Sequence, residues 1–157
     1  MGALYKGIGK YLGMDLLPGN GGDPASSAFI RIKFLAAKKA LGKYDFVFCH
    51  IKGADLLAEN GDYLGKKNFI ETIDNNLPIL DNLKSTLLVI TSDHGTSCLK
   101  KQHTASFVPF LIYSSETKTT GNKIASVFTE KECQKGKKVE SLKMIPLIVK
   151  MACEAKH

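Results

Sequence analysis

The chain has 157 residues, 44% of them hydrophobic, and a formal charge of +7 from 22 basic and 15 acidic side chains. That length and apolar content support one sizeable core, so the chain reads as one domain or one piece of one. No apolar run nears the roughly 20 residues of a membrane span, and Met1-Gly-Ala-Leu-Tyr-Lys6 lacks a signal peptide's apolar core, so the expectation is a soluble, cytoplasmic protein with no membrane partner.

Residues 3 to 12 carry Leu4, Ile8 and Leu12 at helical spacing, and Gly13-Met-Asp-Leu-Leu17 reads as a short strand before the loop Pro18-Gly-Asn-Gly-Gly22. Asp23-Pro24 predicts a helix start, with Asp23 as cap and Pro24 at the first position. The helix then runs from Ala25 to Leu41, with Phe29, Ile32, Leu35 and Ala36 facing inward and Gly42 closing it. Tyr44-Asp-Phe-Val-Phe-Cys-His-Ile51 reads as a buried strand. A long helix follows from Asp62 to about Leu83, its stripe Phe69, Ile70, Ile73, Leu77 and Leu80, with Pro78 kinking or breaking it.

Ser85-Thr-Leu-Leu-Val-Ile90 is apolar and β-branched without polar alternation, as expected for a strand buried on both faces. A histidine-containing loop follows, then the strand Phe107–Tyr113, whose Pro109 favours an edge or a strand start. Thr117 to Asn122 is a polar turn. After a basic loop, a final amphipathic helix runs from about Ser141 to Ala155 with Leu142, Ile145, Ile148, Val149 and Ala152 inward and Pro146 in its first turns. Helices alternating with buried strands predict an α/β fold with three helix/sheet/helix layers and a mostly parallel sheet.

The lysines are scattered, as in Lys38-Lys39, Lys100-Lys101 and Lys135-Gly-Lys-Lys138, without aromatic interleaving, so a solvated surface is the reading and nucleic acid is not an expected partner. Cys49, Cys98, Cys133 and Cys153 show no Cys-x-x-Cys spacing, which predicts four free thiols.

The chemistry concentrates at strand ends. His50 near the end of one predicted strand is followed by Asp55 and Glu59, and Asp93, His94 and His103 follow another, in Thr91-Ser-Asp-His-Gly-Thr96 and beyond. In open α/β sheets ligands bind at carboxyl ends of strands, and mixed nitrogen and oxygen donors suit zinc, manganese or a similar ion. Asp55 and Glu59, at i and i+4, share one face if their segment is helical. The alternative is ordinary polar loop residues that never touch a metal. Ser92 or Ser97 beside His94 could be a nucleophile, but no Gly-x-Ser-x-Gly elbow surrounds either. Cys49 beside His50 reads as a thiolate pair or, inside a strand, as a small hydrophobe.

These segments, Tyr44 to Asp55, Asn60-Gly-Asp62, Thr91 to Thr96, Lys101-Gln-His103 and Val108 to Ile112, resemble the archaeal-type cofactor-independent (2,3-bisphosphoglycerate-independent) phosphoglycerate mutases of the alkaline phosphatase superfamily. The likeness extends from Lys6-Gly-Ile-Gly-Lys10 to Phe128-Thr-Glu-Lys-Glu-Cys133 and the last helix. It implies a partial alkaline-phosphatase-like core and glycolytic interconversion of 3- and 2-phosphoglycerate through a phosphoserine, an isomerase reaction using two divalent ions (Mn, Mg or Zn). By position, Asp93 and His94 would bind the serine-activating ion and Asp55 and His103 the other; Lys52, close by in the same loop, is a candidate phosphate contact or, equally, a solvated loop lysine.

Two departures stand out. The family has a histidine where this chain has Glu59, within Ala58-Glu-Asn-Gly-Asp62. A carboxylate there favours a hard cation such as manganese or magnesium, or marks a weakened site. Family members are also more than twice as long, and their front portion carries the serine nucleophile and another metal-binding aspartate. The expectation is therefore that residues 1–157 are the C-terminal part of the catalytic domain, inactive alone. The rival readings are another metal-dependent phosphatase or phosphonate-processing relative, and a non-catalytic remnant acting by protein interaction.

Overall fold

The computed structural model describes residues 3–18, 22–24, 26–115 and 127–154. The predicted loop at Pro18–Gly22, the turn at Thr117–Asn122 and the helix positions Ala25 and Ala155 fall wholly or partly outside them. The chain divides into two compact units. One holds the residues up to Asp81 together with Thr96–Gln102, and the other holds Asn82–Gly95 together with the residues from His103 onward.

The first unit is helical. Helix α1 spans Ala3–Tyr11, and the segment expected as a strand after it is coil, with Leu16 folded back over Gly9. Helix α2 spans Ser27–Ala40. Its cap is Ser26, whose Oγ accepts from the Phe29 amide at 3.2 Å, while Ser26 itself bonds back to the Asp23 carbonyl. The expected Asp23 cap is thus displaced by three residues: Asp23-Pro24 forms the turn and the hydroxyl behind it satisfies the orphan amide. The inward face is also rotated, because α2 buries Ile30, Phe34 and Ala40 and leaves Ile32 and Leu35 exposed. With Phe29, Ile30, Ile32, Phe34 and Leu35 spread around most of the helix, periodicity alone does not select the face.

Tyr44–Ile51 has the composition of a strand but forms no ladder. An extended segment becomes a strand only by pairing, and it pairs with no other strand among the described residues; Phe46 and Phe48 are exposed. Helix α3, Gly53–Glu59, follows, then α4, Tyr63–Asn76. Asp62 caps α4 by accepting from the Gly65 amide at 2.8 Å. Pro78 ends the α-helix: Leu77–Leu80 tightens into a 3₁₀ turn because proline has no amide to continue the ladder. Ile30, Phe34 and Phe69 form the core, flanked by Ile51, Leu57, Ile73 and Leu77. The Phe69 ring covers Gly53 so closely that any Cβ there would collide with it. Buried Asn76 donates to Ser27 Oγ at 3.1 Å and to the Thr72 carbonyl at 2.8 Å, tying α4 to the start of α2.

The strands are short. Strand β1, Leu88–Thr91, pairs antiparallel with β4, Phe110–Tyr113, in the register Leu88 to Tyr113 through Thr91 to Phe110. Strands β2, Gly95–Ser97, and β3, Gln102–Thr104, form a second two-stranded sheet in what the sequence suggested was plain loop. The fold is α/β, but both sheets are antiparallel and not the expected mostly parallel sheet. Parallel strands need a further strand beside them, and the candidate at Tyr44–Ile51 is unpaired here. Pro109 stands directly before β4, where its missing amide costs no ladder bond.

Helix α5, Glu130–Cys133, is capped by Thr129, which accepts from the Glu132 amide at 3.3 Å. Helix α6 spans Ser141–Glu154 with Pro146 inside it. Its expected inward residues are largely outward: Leu142 is 90% exposed and Ile145 57%. The more covered side carries Met144, Leu147, Ile148, Met151 and Ala152, so only Ile148 and Ala152 of the expected face are right. No described helix is long and apolar enough to cross a membrane.

Candidate metal centre

In the second unit, β1 ends at Thr91, whose hydroxyl donates to the Pro109 carbonyl at 3.1 Å and fixes the exit of the strand. Ser92, Asp93 and His94 follow at that strand end. The Asp93 carboxylate turns onto its neighbour: Oδ1 accepts from the His94 amide at 3.1 Å, and Oδ2 lies 3.5 Å from His94 Nε2. His94 Nδ1 lies 3.3 Å from the Gly95 carbonyl. When Nδ1 carries the proton for that contact, Nε2 presents a lone pair towards the Asp93 carboxylate, and a cation or a second proton satisfies both.

His103, on β3, stacks its ring on His94 with centroids 3.7 Å apart and planes 25° from parallel. The close approach needs Gly95: a Cβ there would stand 2.7 Å from Thr104 Oγ1 and 3.0 Å from Ser106 Oγ. Sequence spacing brought Asp93 and His94 together by adjacency, but only the turn at Cys98–Lys101 returns His103 to them. Ser97 Oγ accepts from the Lys100 amide at 3.1 Å, which makes this serine a turn former.

In the first unit, α3 is helical as the Asp55 and Glu59 spacing required, with Asp55 in its first turn, half-buried, and Glu59 in its last, exposed. Asp55 Oδ1 accepts from Thr96 Oγ1 at 2.6 Å, and Oδ2 lies 3.6 Å from Lys52 Nζ. Lys52, read from sequence as a phosphate contact, thus faces a carboxylate of its own helix start. Thr96 is 8% exposed, and its carbonyl accepts from Lys66 Nζ at 2.7 Å. Thr96 closes the motif that begins at Thr91, but sequence assigned neither it nor Lys66 a place at the site; the one available signal was a hydroxyl two residues beyond His94.

His50 is placed elsewhere in that unit. Its ring stacks on Tyr5 at 4.2 Å and lies 6.3 Å from Phe48, and its carbonyl accepts from Lys33 Nζ at 2.5 Å. Cys49 beside it is exposed as a residue, yet burial of the thiol raises its pKa above the ordinary range, with Lys33 opposing in smaller measure. That removes the argument for a thiolate pair. Cys49, Cys98, Cys133 and Cys153 are free thiols.

Imidazole and carboxylate donors gathered at a strand end define a metal-binding class of α/β protein, and the donors fit a divalent ion of intermediate hardness. The chain belongs to the metalloenzyme superfamily, whose family model matches residues 5–146. Membership implies binding of divalent metal. It is 35% identical over 133 residues to the probable 2,3-bisphosphoglycerate-independent phosphoglycerate mutase of Thermosipho melanesiensis, covering 85% of this chain and 31% of that protein. It is 38% identical over 136 residues to 2,3-bisphosphoglycerate-independent phosphoglycerate mutase 1 of Archaeoglobus fulgidus, covering 85% and 33%. The solved structure of the PH0037 protein from Pyrococcus horikoshii superposes with a TM-score of 0.81 at 27% identity, covering 96% of this chain and 46% of that one. The chain spans about a third of the length of the curated relatives it matches.

Proposed function

We propose that this chain is the metal-binding segment of a cofactor-independent phosphoglycerate mutase, acting in the cytoplasm on 3- and 2-phosphoglycerate. The observation that carries the reading is the Asp93, His94 and His103 arrangement, two stacked imidazoles beside a carboxylate at a strand end. The mutase names of the relatives point to the substrate.

In this reading Asp93, His94 and His103 would be metal donors of the second unit and Asp55 a metal donor of the first. Glu59, on the Asp55 face of α3, is an additional carboxylate donor. Bound divalent ions would activate a serine oxygen and neutralise charge on the transferring phosphoryl group. The protein's own part is to present these donors already oriented. Asp93 aims the His94 ring, and the stack fixes the His103 ring beside it. Lys52 would exchange its Asp55 contact for a substrate phosphate. The reading assigns the nucleophile to none of the described serines; Ser97 serves the turn at Lys100.

The test is conversion of 3-phosphoglycerate in the presence of manganese, assayed for the isolated 157 residues and for the same segment joined to the serine-bearing part of a mutase relative. The reading predicts turnover only in the joined protein, lost in D93N and H94A variants. Hydrolysis of other phosphate esters without mutase turnover would assign the segment to a phosphatase-like member of the superfamily instead.

A further inference from the structure

We infer that Thr96, held in place by Lys66, is a positioning residue that sets the orientation of the Asp55 carboxylate for metal binding. The inference rests on the metal-binding role of Asp55 proposed above.

Three observations carry it. The Thr96 hydroxyl donates to Asp55 Oδ1 at 2.6 Å, a short bond to a charged acceptor. Thr96 is buried, so bulk water competes little for its hydroxyl. Its backbone is pinned independently, because Lys66 Nζ, on the first turn of α4, reaches the Thr96 carbonyl at 2.7 Å. Asp62 fixes that first turn through its cap on Gly65, so Lys66 starts from a rigid base.

The chemical consequence concerns rotamer choice. A carboxylate in the first turn of a helix rotates readily between solvent and neighbouring amides. A hydroxyl donor on Oδ1 selects one rotamer and with it the direction in which the carboxylate meets a cation. Partners of this kind orient a ligand without touching the ion, and losing one typically weakens metal affinity by about 10- to 100-fold. Lys52 near Oδ2 opposes a cation electrostatically, so the Thr96 bond also decides which oxygen stays with the protein and which is given up.

The experiment is a calorimetric titration of the 157-residue chain with Mn²⁺, comparing wild type with T96V, T96S and K66M, alongside thermal unfolding of each in EDTA. T96V keeps the shape and removes the hydroxyl. The expected result is a Kd raised about 10- to 100-fold in T96V, a smaller rise in K66M, recovery of most of the affinity in T96S, and metal-free melting of T96S matching wild type. Wild-type binding with equal affinity in T96V would overturn the inference alone. Wild-type chain that fails to bind Mn²⁺ would overturn the metal reading beneath it. If T96V does not fold, K66M decides: a folded K66M that binds as wild type refutes the clamp.

Discussion

The rings of His94 and His103 stack at 3.7 Å although eight residues separate them in the chain. The contact is made by the β2 and β3 pairing, and Gly95 lets it close. A G95A substitution would place its Cβ against Thr104 and Ser106. It should move the two rings apart, and the expected outcome is weaker Mn²⁺ binding with little change in helical circular dichroism, since no helix contains Gly95.

The Phe69 ring resting on Gly53 makes that glycine a packing requirement of the first unit. G53A should destabilise by about 1–3 kcal/mol through overpacking. F69A, which empties a core position, should cost about 3–5 kcal/mol. Urea unfolding followed by circular dichroism measures both, and a neutral G53A would refute the contact.

The true start of α2 separates two substitutions that sequence reading would rank the other way. S26A removes the side-chain cap and should cost about 0.5–2 kcal/mol, whereas D23A leaves the Ser26 bond to the Phe29 amide in place and should cost less. Denaturation midpoints of the two variants decide the matter.

Cys49 gives a prediction about pH. Burial raises its thiol pKa, so at a given pH a smaller fraction is thiolate than for an unperturbed cysteine, and alkylation depends on the thiolate. Labelling of Cys49 should therefore stay slow at neutral pH and keep accelerating above the ordinary thiol range. Peptide-resolved mass spectrometry after iodoacetamide pulses at stepped pH would read this directly.

How far the sequence carries the fold depends on whether a signal is local. The helix start at Asp62, Pro78 as a helix stop and Pro109 at a strand start were legible because each acts on the backbone within a few residues of itself. The face of α2 was not, because apolar residues encircle it and only the partners on α4 choose between faces. The strand at Tyr44–Ile51 failed for a similar reason: composition makes a segment extended, but a neighbour makes it a strand. At the candidate centre, Asp93 and His94 were visible as a motif and Asp55 with Glu59 as a helical pair. The hairpin that returns His103, and the buried hydroxyl of Thr96 on Asp55, depend on a turn and a side-chain contact that no spacing rule encodes.

If the strand-end histidines hold a divalent ion, isothermal titration of the purified chain with Mn²⁺ and Zn²⁺, repeated on H94A and H103A, will show it. Wild type should bind saturably and each variant should lose about 10-fold or more in affinity, as expected when a metal ligand or its orienting partner is removed. Binding that is absent in wild type, or unchanged by both substitutions, would contradict it.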